Sequence, residues 1–161
     1  MKRADIYLPM AALILAAIAI PATAQQQVPF KGTFQGSDDT STHGTIKTSG
    51  TGIGTLVGQL SLTDVLTLTS ACCGTGTGQW IAANGDSIDS TFVASADLST
   101  HSLGYITVTE IHTITGGTGR FAGAQGSFKL ERTHIVATSA DGTHVTFGSY
   151  SGTITPPGAA H

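Results

Sequence analysis

The sequence has little charge, few aromatic residues and only two cysteines. Asp, Glu, Lys and Arg make up 11% of 161 residues, where about a quarter is usual for a soluble chain. No basic run exists, so nucleic acid is excluded as a natural partner. The two cysteines are adjacent, Cys72 and Cys73. A disulfide framework needs distant partners and is excluded. A strained vicinal disulfide, an intermolecular bridge and two free thiols remain open. A metal site built on this pair lacks two further ligands at usable spacing. Phosphate-loop motifs of the GK[ST] type and GxSxG nucleophile motifs are absent. No cofactor is expected.

Long apolar runs are also missing, with one exception. Met10 to Ile20 is uninterrupted apolar sequence, too short to span a bilayer at ~20 residues. Lys2 and Arg3 precede it, and Ala22-Thr23-Ala24 follows as a small-x-small cleavage site. This pattern reads as a secretory signal peptide, residues 1–24, removed after Ala24. The expected location is secreted or periplasmic, with no stable membrane insertion after cleavage. Residues 25–155 then form one domain, and 156–161 a loose tail after Pro156-Pro157-Gly158.

Threonine and glycine fill the space that charge leaves. The chain holds 26 threonines and 21 glycines. Threonine keeps a strand face polar without charge and favours sheet. No stretch after residue 24 has a convincing helical period, and alternation dominates. Candidate strands are Val28–Gln35, Thr42–Thr48, Leu56–Leu62, Val65–Thr69, Gly76–Ala83, Ser87–Ala96, Leu103–Thr115, Gly126–Val136 and Thr143–Ile154. Asn84-Gly85 predicts a hairpin with a two-residue type I′ turn. Asp141-Gly142 is a weaker signal of the same kind, and Gly50–Gly54 and Gly74–Gly78 read as further turns. The expected fold is all-β, a single antiparallel closed barrel of eight strands, or nine. Closure removes edges that a threonine-rich sheet would offer to aggregation. A membrane-embedded barrel is not expected, because the strands lack an outward apolar band with aromatic girdles.

The most informative stretch is Ile114 to Phe128. Gly116, Gly117, Gly119 and Gly123 flank Arg120 and Phe121. They let the backbone turn with φ > 0 and pass close to neighbouring strands. This predicts a structural corner in which Arg120 pins the loop to a nearby acid or to carbonyls and Phe121 plugs a barrel end. Clamping of an anion by Arg120 is the competing reading.

This run resembles the glycine-rich signature of plant dirigent proteins. It is still more similar to small exported bacterial proteins grouped with the allene oxide cyclase barrel. Val28-Pro29-Phe30-Lys31-Gly32-Thr33-Phe34, Ala82-Ala83-Asn84-Gly85-Asp86 and Ser151-Gly152-Thr153-Ile154 fit that bacterial pattern. The resemblance implies an eight-stranded barrel with an apolar cavity for a small hydrophobic molecule. It also implies a homo-oligomer, usually a trimer. It carries over no catalytic residue.

Candidate chemistry rests on strand parity. Ile106, Val108, Glu110, His112 and Ile114 share the apolar face of one strand, so Glu110 and His112 should point inward. They are candidates for an acid/base pair or a polar ligand anchor. The preferred reading is a buried Glu110 that accepts hydrogen bonds from loop backbone or from Arg120 and closes the barrel, because structural ion pairs perturb pKa values too. Arg132 and His134 follow Phe128 and Leu130 on one face, either as a cavity mouth or as a strand leaving the core. Trp80 is a core residue or a cavity wall. His43, His101 and His144 lack partners at ligand spacing, and no metal site is expected.

Three functions follow from this reading. The first is an exported barrel that binds a small hydrophobic molecule without covalent chemistry. The second is an isomerase or cyclase using Glu110 and His112. The third is a filled barrel acting as a structural envelope protein. Cavity volume separates the third from the others.

Overall fold

A computed structural model describes residues 26–155. The proposed signal peptide and the tail at 156–161 lie outside the described residues. Eight antiparallel strands follow one another around a closed barrel. They are β1 (Val28–Asp39), β2 (Thr45–Gly54), β3 (Gly58–Leu68), β4 (Cys73–Ala82), β5 (Ser87–Asp97), β6 (Tyr105–Gly117), β7 (Gly126–Thr138) and β8 (His144–Ile154). β8 closes onto β1 from Val28 opposite Ile154 to Asp38 opposite His144. Two short 3₁₀ turns, His101–Leu103 and Gly119–Phe121, are the only helical pieces among the described residues.

Alternation sets the inner face. Its lower part is a core of Phe30, Trp80, Phe128, Tyr150 and their aliphatic neighbours. Phe121 from the glycine corner belongs to this core and closes that end. Near the other end a smaller group, Leu66, Phe92, Ala94 and Val108, lines the wall. Between the two lies a belt of buried polar side chains, including Asp38, Asp64, Glu110, His112 and Arg132.

Three readings of the sequence need correction. Leu56–Leu62 and Val65–Thr69 are not two strands; a single β3 runs through Thr63 and Asp64. Gly50–Gly54 and Gly74–Gly78 are not turns but lie inside β2 and β4. Many of these glycines face inward, where a side chain would collide with a neighbour. A Cβ at Gly54 would strike the Tyr150 hydroxyl, and one at Gly76 would strike the Phe92 ring. Large rings fill this narrow barrel because the opposing strands present hydrogen instead of carbon. Finally, the Asn84-Gly85 turn is not type I′. The Gly85 amide donates to Ala82 and the Ala82 amide donates to Asp86. Only Gly85 of the loop takes positive φ, at 87°. This is a three-residue loop with a left-handed glycine and a bulge.

Candidate functional site

Arg132 organises the polar belt. It projects inward from β7, and its Nε donates to Glu110 Oε1 at 2.8 Å. Its Nη1 donates to Asp38 Oδ2 at 2.6 Å and to the Thr146 hydroxyl at 3.2 Å. Asp38 also accepts from the Thr48 hydroxyl and from His134 Nδ1, each at 2.6 Å. Glu110 Oε2 lies 3.1 Å from His112 Nε2, and Ser90 Oγ lies 3.0 Å from His112 Nδ1. A continuous polar chain therefore runs from His134 through Asp38, Arg132, Glu110 and His112 to Ser90.

Charge follows from these contacts. Burial alone would raise the Asp38 carboxyl, but the His134 bond, the Arg132 charge and the Thr48 bond outweigh it and hold it low. Burial likewise opposes ionisation of Glu110, and Arg132 and His112 reverse that effect. Burial disfavours the Arg132 cation too, but the two carboxylates more than restore it. Asp64 behaves differently. Burial and the Glu110 charge push its carboxyl well above the usual range, against partial relief from Arg132. Its Oδ1 has no hydrogen-bond partner. An uncharged carboxyl is the cheaper state for a group so placed.

One end of the barrel is open above this belt. A cavity of about 130 Å³ lies there, walled by Ile46, Leu66, Ala94, Ala96, Ile106 and Val108. Arg132 and His134 line it from the belt side, and Ala71, Cys72 and Cys73 line it from the β3–β4 connection. Arg132 Nη2 has no hydrogen-bond partner among the described residues. Cys72 and Cys73 are both free thiols. Hydrogen bonds from Cys73 and Ser70 pull the Cys72 thiol down, and the same Cys72 contact pushes Cys73 up. Larger hollows of about 720 and 590 Å³ lie on the outer wall. They are open shallow grooves rather than enclosed space, and the inner charged groups other than Arg132 take no part in them.

The candidate residues thus fall into four places. Arg132 and His134 meet at the cavity floor. Glu110 and His112 are fully buried behind Arg132 and line none of the hollows described above. Trp80 is 0% exposed, edge-on to Phe128 and Tyr150 in the closed core. Arg120 is not the partner of Glu110: it lies outside the belt, 3.4 Å from Asp86 and over the Phe121 ring, and Arg132 pairs with Glu110 instead. His134 and His144 stack obliquely at 4.8 Å. Asp38 and Asp64 were missed by sequence reasoning. Parity carries the signal for both: Asp38 shares a face with Phe30 and Phe34, and Asp64 with Leu60, Leu62 and Leu66.

Comparison with known proteins gives no relative: no protein-family model, no curated protein and no solved structure matches this chain.

Proposed function

We propose that the barrel binds a small neutral molecule in its mouth cavity, apolar in body and carrying one carbonyl or hydroxyl oxygen. The observation that carries this reading is the cavity itself, whose walls are aliphatic and whose floor holds Arg132 with Nη2 unpartnered. A ligand oxygen would accept from Nη2. His134, whose Nδ1 donates to Asp38, lines the same floor and offers its ring edge as a second polar contact to the ligand.

Charge selects against an anion. Two ionised carboxylates, Asp38 and Glu110, already surround the one guanidinium, so the floor carries no surplus positive charge. Size selects a compact body. A cavity near 150 Å³ accommodates benzene, and about 130 Å³ is slightly smaller.

Binding is favoured over turnover. Glu110 and His112 lie behind Arg132 and line no cavity with it, so a ligand in the mouth does not meet them. The resemblance to the allene oxide cyclase barrel supports a cavity-based role. On this reading the leader directs export, and the mature barrel works as a carrier or scavenger outside the cytoplasm, as a monomer or as the trimer that the resemblance implies. Native mass spectrometry of the protein from its own host tests this. A retained neutral molecule of roughly six to eight heavy atoms supports it; a ligand-free barrel that gains no mass with any such compound counts against it.

A further inference from the structure

We propose that Asp64, Glu110 and His112 form a binding site for one divalent transition-metal ion of the Zn²⁺ class inside the barrel. This site is independent of the mouth cavity. One donor atom from each residue lies within 4.8 Å of the other two. β3 supplies Asp64, and alternate positions of β6 supply Glu110 and His112. All three are more than nine-tenths buried, at 5%, 1% and 0% exposure.

Two features of this cluster call for a cation. The first is Asp64 Oδ1, a buried oxygen without a hydrogen-bond partner. An orphaned buried acceptor is costly, and an ion satisfies it. The place for this carboxyl is made by Gly78, where a Cβ would collide with Oδ1.

The second is the orientation of His112. His112 Nδ1 lies 3.0 Å from Ser90 Oγ, and Nε2 lies 3.1 Å from Glu110 Oε2. In the free protein a proton bridges Nε2 and Glu110. An ion that takes the place of that proton meets Nε2 and Oε2 already converged, and Ser90 Oγ can then accept from Nδ1–H while donating to the Gly78 carbonyl at 3.4 Å. The ring cannot swing aside. Phe92 and Phe128 stack on it at 4.6 and 4.4 Å, and Trp80 meets its edge. A histidine held by a hydrogen bond at Nδ1, with Nε2 turned toward a carboxylate oxygen, has the orientation that metal ligation requires.

Charge and donor type narrow the ion. A bound cation would displace the Asp64 proton; Asp38, Asp64 and Glu110 would then oppose Arg132, and the two negative charges left over match a divalent ion. Arg132 occupies Glu110 Oε1 and leaves Oε2 for the ion. One imidazole and two carboxylates suit Zn²⁺ and its first-row neighbours. Mg²⁺ and Ca²⁺ require six or more oxygen ligands, which this aromatic pocket lacks. Three protein ligands leave a fourth position for water or a small ligand atom.

The closed interior dictates the test. The full-length mature protein is unfolded in urea, refolded with one to two equivalents of Zn²⁺ or Co²⁺, and desalted. We expect one ion per chain by elemental analysis, a higher melting temperature and the visible absorption of low-coordinate Co²⁺. Asp64→Asn should refold and bind Zn²⁺ more weakly by about 100-fold or more, beyond the loss typical of outer-shell changes. His144→Gln should retain the full equivalent. No retained ion in the parent, or equal retention by Asp64→Asn, overturns the proposal. If Asp64→Asn does not fold, ¹⁵N-histidine spectra of the Zn²⁺-loaded parent decide: ligation at His112 Nε2 supports the site, and an unligated Nε2 overturns it.

Discussion

Arg132 stands between Asp38 and Glu110 and serves both, Nη1 at 2.6 Å from one carboxylate and Nε at 2.8 Å from the other. The three side chains come from β7, β1 and β6, so one guanidinium ties together strands distant in sequence. Removing it strands two buried carboxylates. Arg132→Met should therefore destabilise the barrel by about 3–5 kcal/mol, the range for breaking buried ion pairs. Arg132→Lys should recover only part of the loss, because a single ammonium cannot bridge both acids in the fork geometry. Urea denaturation of both variants checks the order.

The acids of the belt respond to pH in opposite directions. Asp38 and Glu110 are held low in the folded protein. Their contribution is therefore complete above the unfolded values of about 4 and is lost as pH falls through the lower folded values. Asp64 is raised by burial first and by Glu110 second. Its contribution is complete below about pH 4 and is lost as pH rises through the folded value. In metal-free protein, Asp64→Asn should be more stable than the parent at neutral pH, and the gain should shrink toward pH 4. Melts across this range with chelator present measure it; a gain that grows on acidification would be the wrong sign.

Tyr150 and Gly54 form a size-matched pair in the lower core. The Tyr150 hydroxyl occupies the space that a Gly54 side chain would need and has no hydrogen-bond partner. Gly54→Ala should cost about 1–3 kcal/mol through overpacking. Tyr150→Phe should be neutral or stabilising, because it removes an unsatisfied buried hydroxyl. Combining the two should recover much of the Gly54→Ala loss. A double-mutant cycle with no coupling would contradict this packing.

Arg120 is a smaller matter than its position in the glycine corner suggests. Its side chain is 40% exposed and its nearest acid, Asp86, lies 3.4 Å away. An exposed pair contributes at most about 1 kcal/mol. Arg120→Ala should shift the melting temperature only slightly and leave ligand binding intact.

The barrel was legible in the sequence because period-two alternation survives a composition short of charge. Glu110 and His112 were legible as an inward pair for the same reason: Ile106, Val108 and Ile114 mark their face. Glycine misled the reading. Gly50, Gly52, Gly76 and Gly78 look like turn residues in one dimension; the close β1 backbone explains the first two as strand residues, and the facing Phe92 ring and Asp64 carboxyl explain the last two. Reading turns there shortened β2 and β4. Splitting β3 near Thr63 also left Asp64 between two candidate strands, without a face. The meeting of Arg132 with Asp38 was not legible, since 94 residues separate them and only barrel closure brings β1 beside the end of β7 and β8.

Ligand binding in the mouth cavity is tested by ¹H–¹⁵N NMR titration with cyclohexanone. Cyclohexanone is neutral, with one acceptor oxygen and a compact apolar body. Saturable shifts are expected, confined to Leu66, Ala94, Ala96, Val108, Arg132 and His134, which line the cavity. Cyclohexanecarboxylate should bind more weakly at the same residues. Shifts confined to the outer wall at Thr33, Thr51 and Phe147, or tighter binding of the carboxylate, would contradict it.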